Sequence, residues 1–244
     1  MADQQNTASG GNKAARKFSR RKLFTVAGAA AALAVGGGAL YRHFSSTTPI
    51  HVESFTTEGS GEKKNILVVT GSAREGGNSL LLADAFMEGA REAGHTVAAF
   101  HSGLTPLGAC LHCDGCWSTG EPCVVEDGFA EFWPRLEQAD MLVFCSPLYW
   151  YNFSGHIKCA MDRMYPWSRK NRPRDLKVRE AMLLMCGESL FPRSFAGAAE
   201  AYRQMLGLKR WKDRGRLFVT GVHEFGAMQG HKALAVAEQM GRDA

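Results

Sequence analysis

From residue 65 onward the chain alternates between short apolar runs and segments with helical spacing of apolar residues. The runs are ILVVT at Ile66–Thr70, TVAAF at Thr96–Phe100, MLVFC at Met141–Cys145, AMLLMC at Ala181–Cys186 and RLFVT at Arg216–Thr220. Uninterrupted runs of this length, rich in branched side chains, predict strands buried on both faces. Between them, Leu80–Ala93, Phe129–Gln138, Ser154–Tyr165, Phe195–Met205 and His231–Met240 carry the pattern of amphipathic helices. Strand and helix in strict alternation predict an α/β protein: a doubly wound, five-stranded parallel sheet in a three-layer sandwich. No internal repeat or second core is visible, and the basic, proline-punctuated Ser168–Arg179 reads as a solvated loop.

The first 44 residues follow a different pattern. Residues 1–18 are polar, and Leu23–Tyr41 is uncharged but built largely of Ala and Gly, which drive membrane insertion weakly. Arg20 and Arg21 stand directly before that run. A charged start, an arginine pair and a weak apolar segment resemble a twin-arginine export signal. A membrane anchor and an internal Ala-rich helix are the alternatives, and Gly37 and Ala39 offer small residues at a cleavage spacing. The expected organisation is therefore a signal or anchor at 1–44, a linker at 45–62, and one domain at 63–244 with a cysteine-rich insertion at 109–124. Export would place the domain in the periplasm, with any membrane contact made through the N-terminal segment alone.

Charge sharpens that division. The chain carries a formal net charge of +5, yet residues 1–44 alone hold seven Lys and Arg against Asp3. The remainder is close to neutral, so the basic balance belongs to the leader and does not make a nucleic-acid surface.

Chemistry concentrates in three loops. After the first strand, TGSAREGGNS joins strand to helix through Gly, Ser and Asn. Such a turn presents backbone N–H groups and a helix N-terminus to an anion. Ser72, Asn78 and Ser79 add side-chain donors and Arg74 a positive charge, although Asn78 or Ser79 can equally serve as the helix cap. There is no G-K-[ST] and no G-x-G-x-x-G, which excludes a Walker A loop and the dinucleotide fingerprint. After the third strand, SPLYWYN turns at Pro147 and sets Tyr149, Trp150 and Tyr151 side by side. Three adjacent aromatics in a loop cannot all enter one core, so a planar ligand or a subunit contact is expected there.

These two segments together strongly resemble the flavodoxin-like FMN reductases, and the likeness spans residues 63–241. It implies a flavodoxin-like fold, an FMN-dependent oxidoreductase, and a flavin lying at a subunit interface of a homo-oligomer. By matching position, Ser72, Arg74, Asn78 and Ser79 would hold the FMN phosphate, while Pro147, Leu148, Tyr149 and Trp150 would flank the ring. Trp150 is bulkier than the family pattern leads one to expect. No Ser/His/Asp triad or paired carboxylates stand out, so no catalytic side chain is assigned.

The third loop is the cysteine run ACLHCDGCWSTGEPC, with spacing C-x2-C-x2-C-x6-C. Its first two intervals match the bacterial ferredoxin run, but the third is longer, and here Pro122 precedes the fourth cysteine instead of following it. Tetrahedral zinc, disulfides and plain packing remain open, though zinc usually takes two well-separated C-x2-C pairs, and cysteines three apart are poor structural disulfide partners. The run also resembles that of the iron–sulfur flavoproteins. That likeness implies a [4Fe-4S] cluster on Cys110, Cys113, Cys116 and Cys123, exchanging electrons with FMN. The acceptor or donor would then be a redox protein, a quinone or another small molecule. A cluster-free NAD(P)H:quinone or nitro-compound reductase is the alternative, and a stiffened binding module a further one. Cys145, Cys159 and Cys186 sit among apolar residues and are expected to pack in the core. His112 is expected either near a cluster or at the surface.

Overall fold

The computed structural model describes residues 50–53, 61–168 and 174–244. The signal or anchor read at 1–44 lies outside them. Strand β1 spans Ile50–Glu53 and β2 Asn65–Thr70, followed by helix α1 at Asn78–Glu92. Next come β3 (Thr96–His101), the short α2 (Gly115–Thr119), α3 (Phe129–Gln138) and β4 (Met141–Pro147). The chain continues with α4 (Gly155–Asp162), β5 (Glu180–Cys186), α5 (Ala196–Lys209), β6 (Lys212–Val219) and α6 (Ala233–Arg242). Among the described residues, no helix is long and apolar enough to cross a membrane.

The strands form one sheet in the order β1-β6-β5-β4-β2-β3. The five strands from β2 to β6 are mutually parallel, as expected of a doubly wound fold, and their order is flavodoxin-like. The sheet nevertheless has six strands, not five. β1 pairs antiparallel with β6, from Ile50 opposite Val219 to Glu53 opposite Arg216. It falls inside the stretch read as linker, because four residues with two polar ones carry too little apolar pattern to announce a strand.

Alternation along each strand builds the two cores. Leu67, Val69, Leu142, Phe144, Leu183 and Met185 face one way, onto α3, α4 and α5. Ile66, Val68, Val143, Met182 and Leu184 face the other, onto α1 and α6. Helices α1 and α6 touch backbone to backbone: a Cβ on Gly89 would lie 1.9 Å from the Glu238 carbonyl oxygen, and one on Gly241 2.1 Å from that of Phe86. β6 begins four residues before its apolar run. The polar start is sustained by charge pairing beneath the sheet, where Glu180 meets Lys64 at 2.6 Å and Arg214 at 3.8 Å.

This winding places a topological switch point at β2 and β4. Connections leave them toward opposite faces, so a crevice opens past their carboxyl ends.

Candidate functional site

Four loops meet in that crevice, after β2, β4, β5 and β6, around a cavity of about 470 Å³. The volume is in the range of cofactor sites, roughly 300–1,000 Å³. Seven of the eight residues anticipated for a flavin line it: Ser72, Arg74, Asn78, Ser79, Pro147, Leu148 and Tyr149. Trp150 does not line it and is 95% exposed.

The β2 loop is folded tightly by its own groups. Ser72 Oγ accepts from the Arg74 N–H and donates to the Arg74 carbonyl, both at 3.1 Å, and the Gly77 N–H donates to the same carbonyl at 3.0 Å. A Cβ on Gly77 would sit 2.9 Å from both the Arg74 carbonyl oxygen and Ser72 Oγ, so only glycine lets the turn close. Gly77 caps α1 without any side-chain hydrogen bond to the first turn, leaving its N–H groups to face the cavity. An uncapped helix start with the exposed Arg74 beside it suits an anion.

The side chains divide their work differently from the sequence expectation. Asn78 points to the β6 loop, where its Nδ2 donates to the Glu224 carbonyl at 2.8 Å and its Oδ1 accepts from the Met228 N–H at 3.1 Å. Ser79 is buried, and its carbonyl accepts from the Cys145 thiol at 3.0 Å. Ser72 and Asn78 therefore shape the cradle, and Arg74 projects from it.

Ser154 joins the two flavin-type loops. Buried completely, it accepts from the Ile157 N–H at the start of α4 and donates to the Gly71 carbonyl at 2.7 Å. Beside it, Tyr149 and Asn152 exchange backbone hydrogen bonds at 3.0 and 2.9 Å around a two-residue turn. Trp150 and Tyr151 occupy that turn at φ 48° and 61°, a left-handed geometry that usually falls to Asn and Gly.

No motif or spacing singles out Glu188 and His223, which also line the cavity and meet at 3.2 Å. Their position directly beyond β5 and β6 was the only available signal. Cys145 and Cys186 are buried as expected, and Cys186 lines the cavity. Burial pushes the Cys186 thiol up to about 12 and raises Cys145 strongly, so both are inert at neutral pH. Cys159 departs from the expectation: it is half-buried on α4.

All four cysteines of the run line a second, small pocket of about 20 Å³. Its loop is curled by left-handed residues at His112, Asp114 and Gly120. Burial raises the Cys116 thiol, as do the neighbouring thiols of Cys123, Cys110 and Cys113, against the lowering effect of a backbone hydrogen bond. The exposed His112 ring stands 5.9 Å from that of Tyr165, on the pocket wall. The seven cysteines are all free thiols. No three His, Cys, Asp or Glu among the described residues converge on one point closely enough to hold a single metal ion. A four-iron core spreads its thiolates more widely, and the donor set matches one in number and type. To enclose it, the loop must open beyond the present pocket.

The residue holding this loop was also not foreseen. Arg163, 2% exposed, hydrogen bonds Cys123 Sγ at 3.2 Å and the Asp127 carboxylate at 2.6 and 2.7 Å. Burial alone would raise the Asp127 carboxyl, but hydrogen bonds from Arg163, Gly108 and Phe129 hold it below its ordinary value. The Arg163 Nε–H is buried without a hydrogen-bond partner among the described residues, a donor that a sulfur-rich group in the pocket could satisfy.

A switch-point cavity, a glycine-rich turn and an aromatic loop at the edge of one mostly parallel sheet define the class of flavodoxin-like proteins. The model of the NADPH-dependent FMN reductase family matches residues 64–216, and the chain belongs to that family. It is similar to an iron-sulfur flavoprotein of Archaeoglobus fulgidus, with 29% identity over 102 residues, 42% of this chain and 46% of the relative. An iron-sulfur flavoprotein of Methanocaldococcus jannaschii is 33% identical over 97 residues, 40% of this chain and 48% of the relative. The chain thus spans about half the length of these curated relatives. Among solved structures, an NAD(P)H:quinone oxidoreductase from Methanothermobacter marburgensis shares the fold at a TM-score of 0.58 and 20% identity, covering 75% of this chain and 99% of that one.

Proposed function

We propose that the protein is an FMN-dependent oxidoreductase that passes electrons between FMN and a [4Fe-4S] cluster. The observation carrying the flavin is the convergence of two loops, some 70 residues apart in sequence, on one switch-point cavity. In this reading the phosphate rests on the N-terminal amides of α1 and on Arg74, in a cradle shaped by Ser72, Gly77, Asn78 and Ser79. Pro147, Leu148 and Tyr149 flank the ring. Trp150, turned outward, belongs to the contact with a second copy of the chain. FMN supplies the redox chemistry, and the protein orients it and excludes water.

Cys110, Cys113, Cys116 and Cys123 hold the cluster in this proposal, supported by their common pocket and by the two relatives named iron-sulfur flavoproteins. Residues 1–44 act as an export signal or tether, so the protein works in the periplasm. Because NAD(P)H is a cytosolic coenzyme, the electron donor there is a redox protein or a membrane quinol. Rapid anaerobic reduction by NADPH would count against that donor assignment.

The second reading is a cluster-free FMN-dependent NAD(P)H:quinone or nitro-compound reductase, which the small size of the cysteine pocket favours. Anaerobic purification, with assays for iron, sulfide and released flavin, separates the two. Broad visible absorption beneath the flavin bands, with about four irons per chain, upholds the cluster. A yellow, iron-free protein that keeps full activity as Cys113→Ala establishes the second.

A further inference from the structure

The four cysteines do not come from one rigid element. Cys110, Cys113 and Cys116 lie in the curled part of the loop and at the start of α2, whereas Cys123 follows Pro122 beyond it. Something must fix Cys123 against the other three, and one buried side chain is placed to do so. The Arg163 guanidinium bonds Cys123 Sγ and the Val125 carbonyl through one nitrogen, both at 3.2 Å. Through the other it holds Asp127 and reaches the Gly108 carbonyl at 3.5 Å. It thus clasps both ends of the cysteine loop, and it stacks on the Phe129 ring, 4.3 Å from the centroid.

Arg163 is also the C-cap of α4. The opposite end of that helix is Ser154, bonded to Gly71 at the flavin-type turn. Eight helical residues, about 12 Å, therefore connect the cradle of one site to the clasp of the other.

We infer that Arg163 is the positioning residue of the cysteine site: it sets Cys123 in register with the other three cysteines and donates an N–H to its sulfur. This inference rests on the cluster reading for its redox consequence, but not for its structural one. A hydrogen bond to a ligating sulfur, with a positive charge behind it, favours the reduced, more negative cluster and raises its potential.

The test compares the full-length chain with Arg163→Met and Arg163→Lys, each loaded anaerobically with iron and sulfide. Iron and flavin content and the cluster midpoint potential are measured, and endoproteinase Glu-C digestion is followed before loading. Glu126 is an exposed cleavage site within the clasped segment, whereas Glu121 precedes Pro122 and resists the protease. The Met variant is expected to keep its flavin, retain less than half of the iron, and titrate at a lower potential. It should be cut at Glu126 at least about tenfold faster, from the loss of charged hydrogen bonds. Should it fail to keep flavin, Arg163→Lys, which retains the charge but not the fork, carries the same comparison. An unchanged potential in a folded variant overturns the inference. If the parent chain takes up no iron, the cluster reading fails by itself. The cleavage rate then decides Arg163: acceleration upholds the clasp and an unchanged rate refutes it.

Discussion

Replacing Ser154 by alanine tests whether the two flavin-type loops are held as one unit. The side chain is fully buried and does two things: it caps α4 through the Ile157 N–H, and it donates to the Gly71 carbonyl at 2.7 Å. Loss of an N-cap of this kind costs about 1 kcal/mol. Withdrawing this hydroxyl from a buried carbonyl costs a further ~1–3 kcal/mol. The expected destabilisation is therefore about 2–4 kcal/mol, well above that of an ordinary surface change. Urea unfolding followed by circular dichroism should show a lower midpoint with an unchanged slope, since the same surface is exposed. Because Gly71 opens the β2 turn, FMN affinity measured by fluorescence quenching should fall in the same variant. A loss below about 0.5 kcal/mol, with FMN binding unaltered, would refute the coupling.

Three further outcomes follow from the geometry. Gly77→Ala drives a Cβ against the Arg74 carbonyl, so FMN affinity should drop by about tenfold or more while phosphate-free riboflavin is less affected. Tyr151→Gly relieves a left-handed aromatic and should raise stability by about 1 kcal/mol in thermal unfolding; a neutral or destabilising result would show that contacts of the aromatic outweigh the strain. Glu137 is held below its ordinary value of 4.5, first by hydrogen bonds from Arg174 and against the opposing effect of burial, with Trp167 assisting. A depressed carboxyl contributes stability that is complete above the unfolded value and lost as pH falls through the folded one. Melting temperatures of the parent should thus approach those of Glu137→Gln below pH 4.5, and curves that stay parallel there would contradict the assignment.

Much of this architecture is legible in the chain because central parallel strands are buried on both faces and cannot hide their apolar runs. β2, β4 and β5 were readable for that reason, and so was the glycine-rich turn after β2, whose closure admits no Cβ at Gly77. The spacing of the four cysteines is a local property as well. By contrast, β1 has four residues and becomes a strand only because β6 offers it an edge. The charged start of β6 is tolerated only where Lys64 and Arg214 gather around Glu180.

The site shows the same boundary. The chain alone pointed to two of the loops that line the cavity, since turn residues and aromatic clusters advertise themselves locally. Tertiary structure decided what each side chain does there. Asn78 is spent on the β6 loop, 146 residues away, and Trp150 turns outward at a left-handed φ. Arg163 reads in the chain as one more arginine near the end of a helix. It becomes the clasp of the cysteine loop because folding brings it to Asp127 and Cys123, 36 and 40 residues earlier, where the Asp127 carboxylate balances its buried charge.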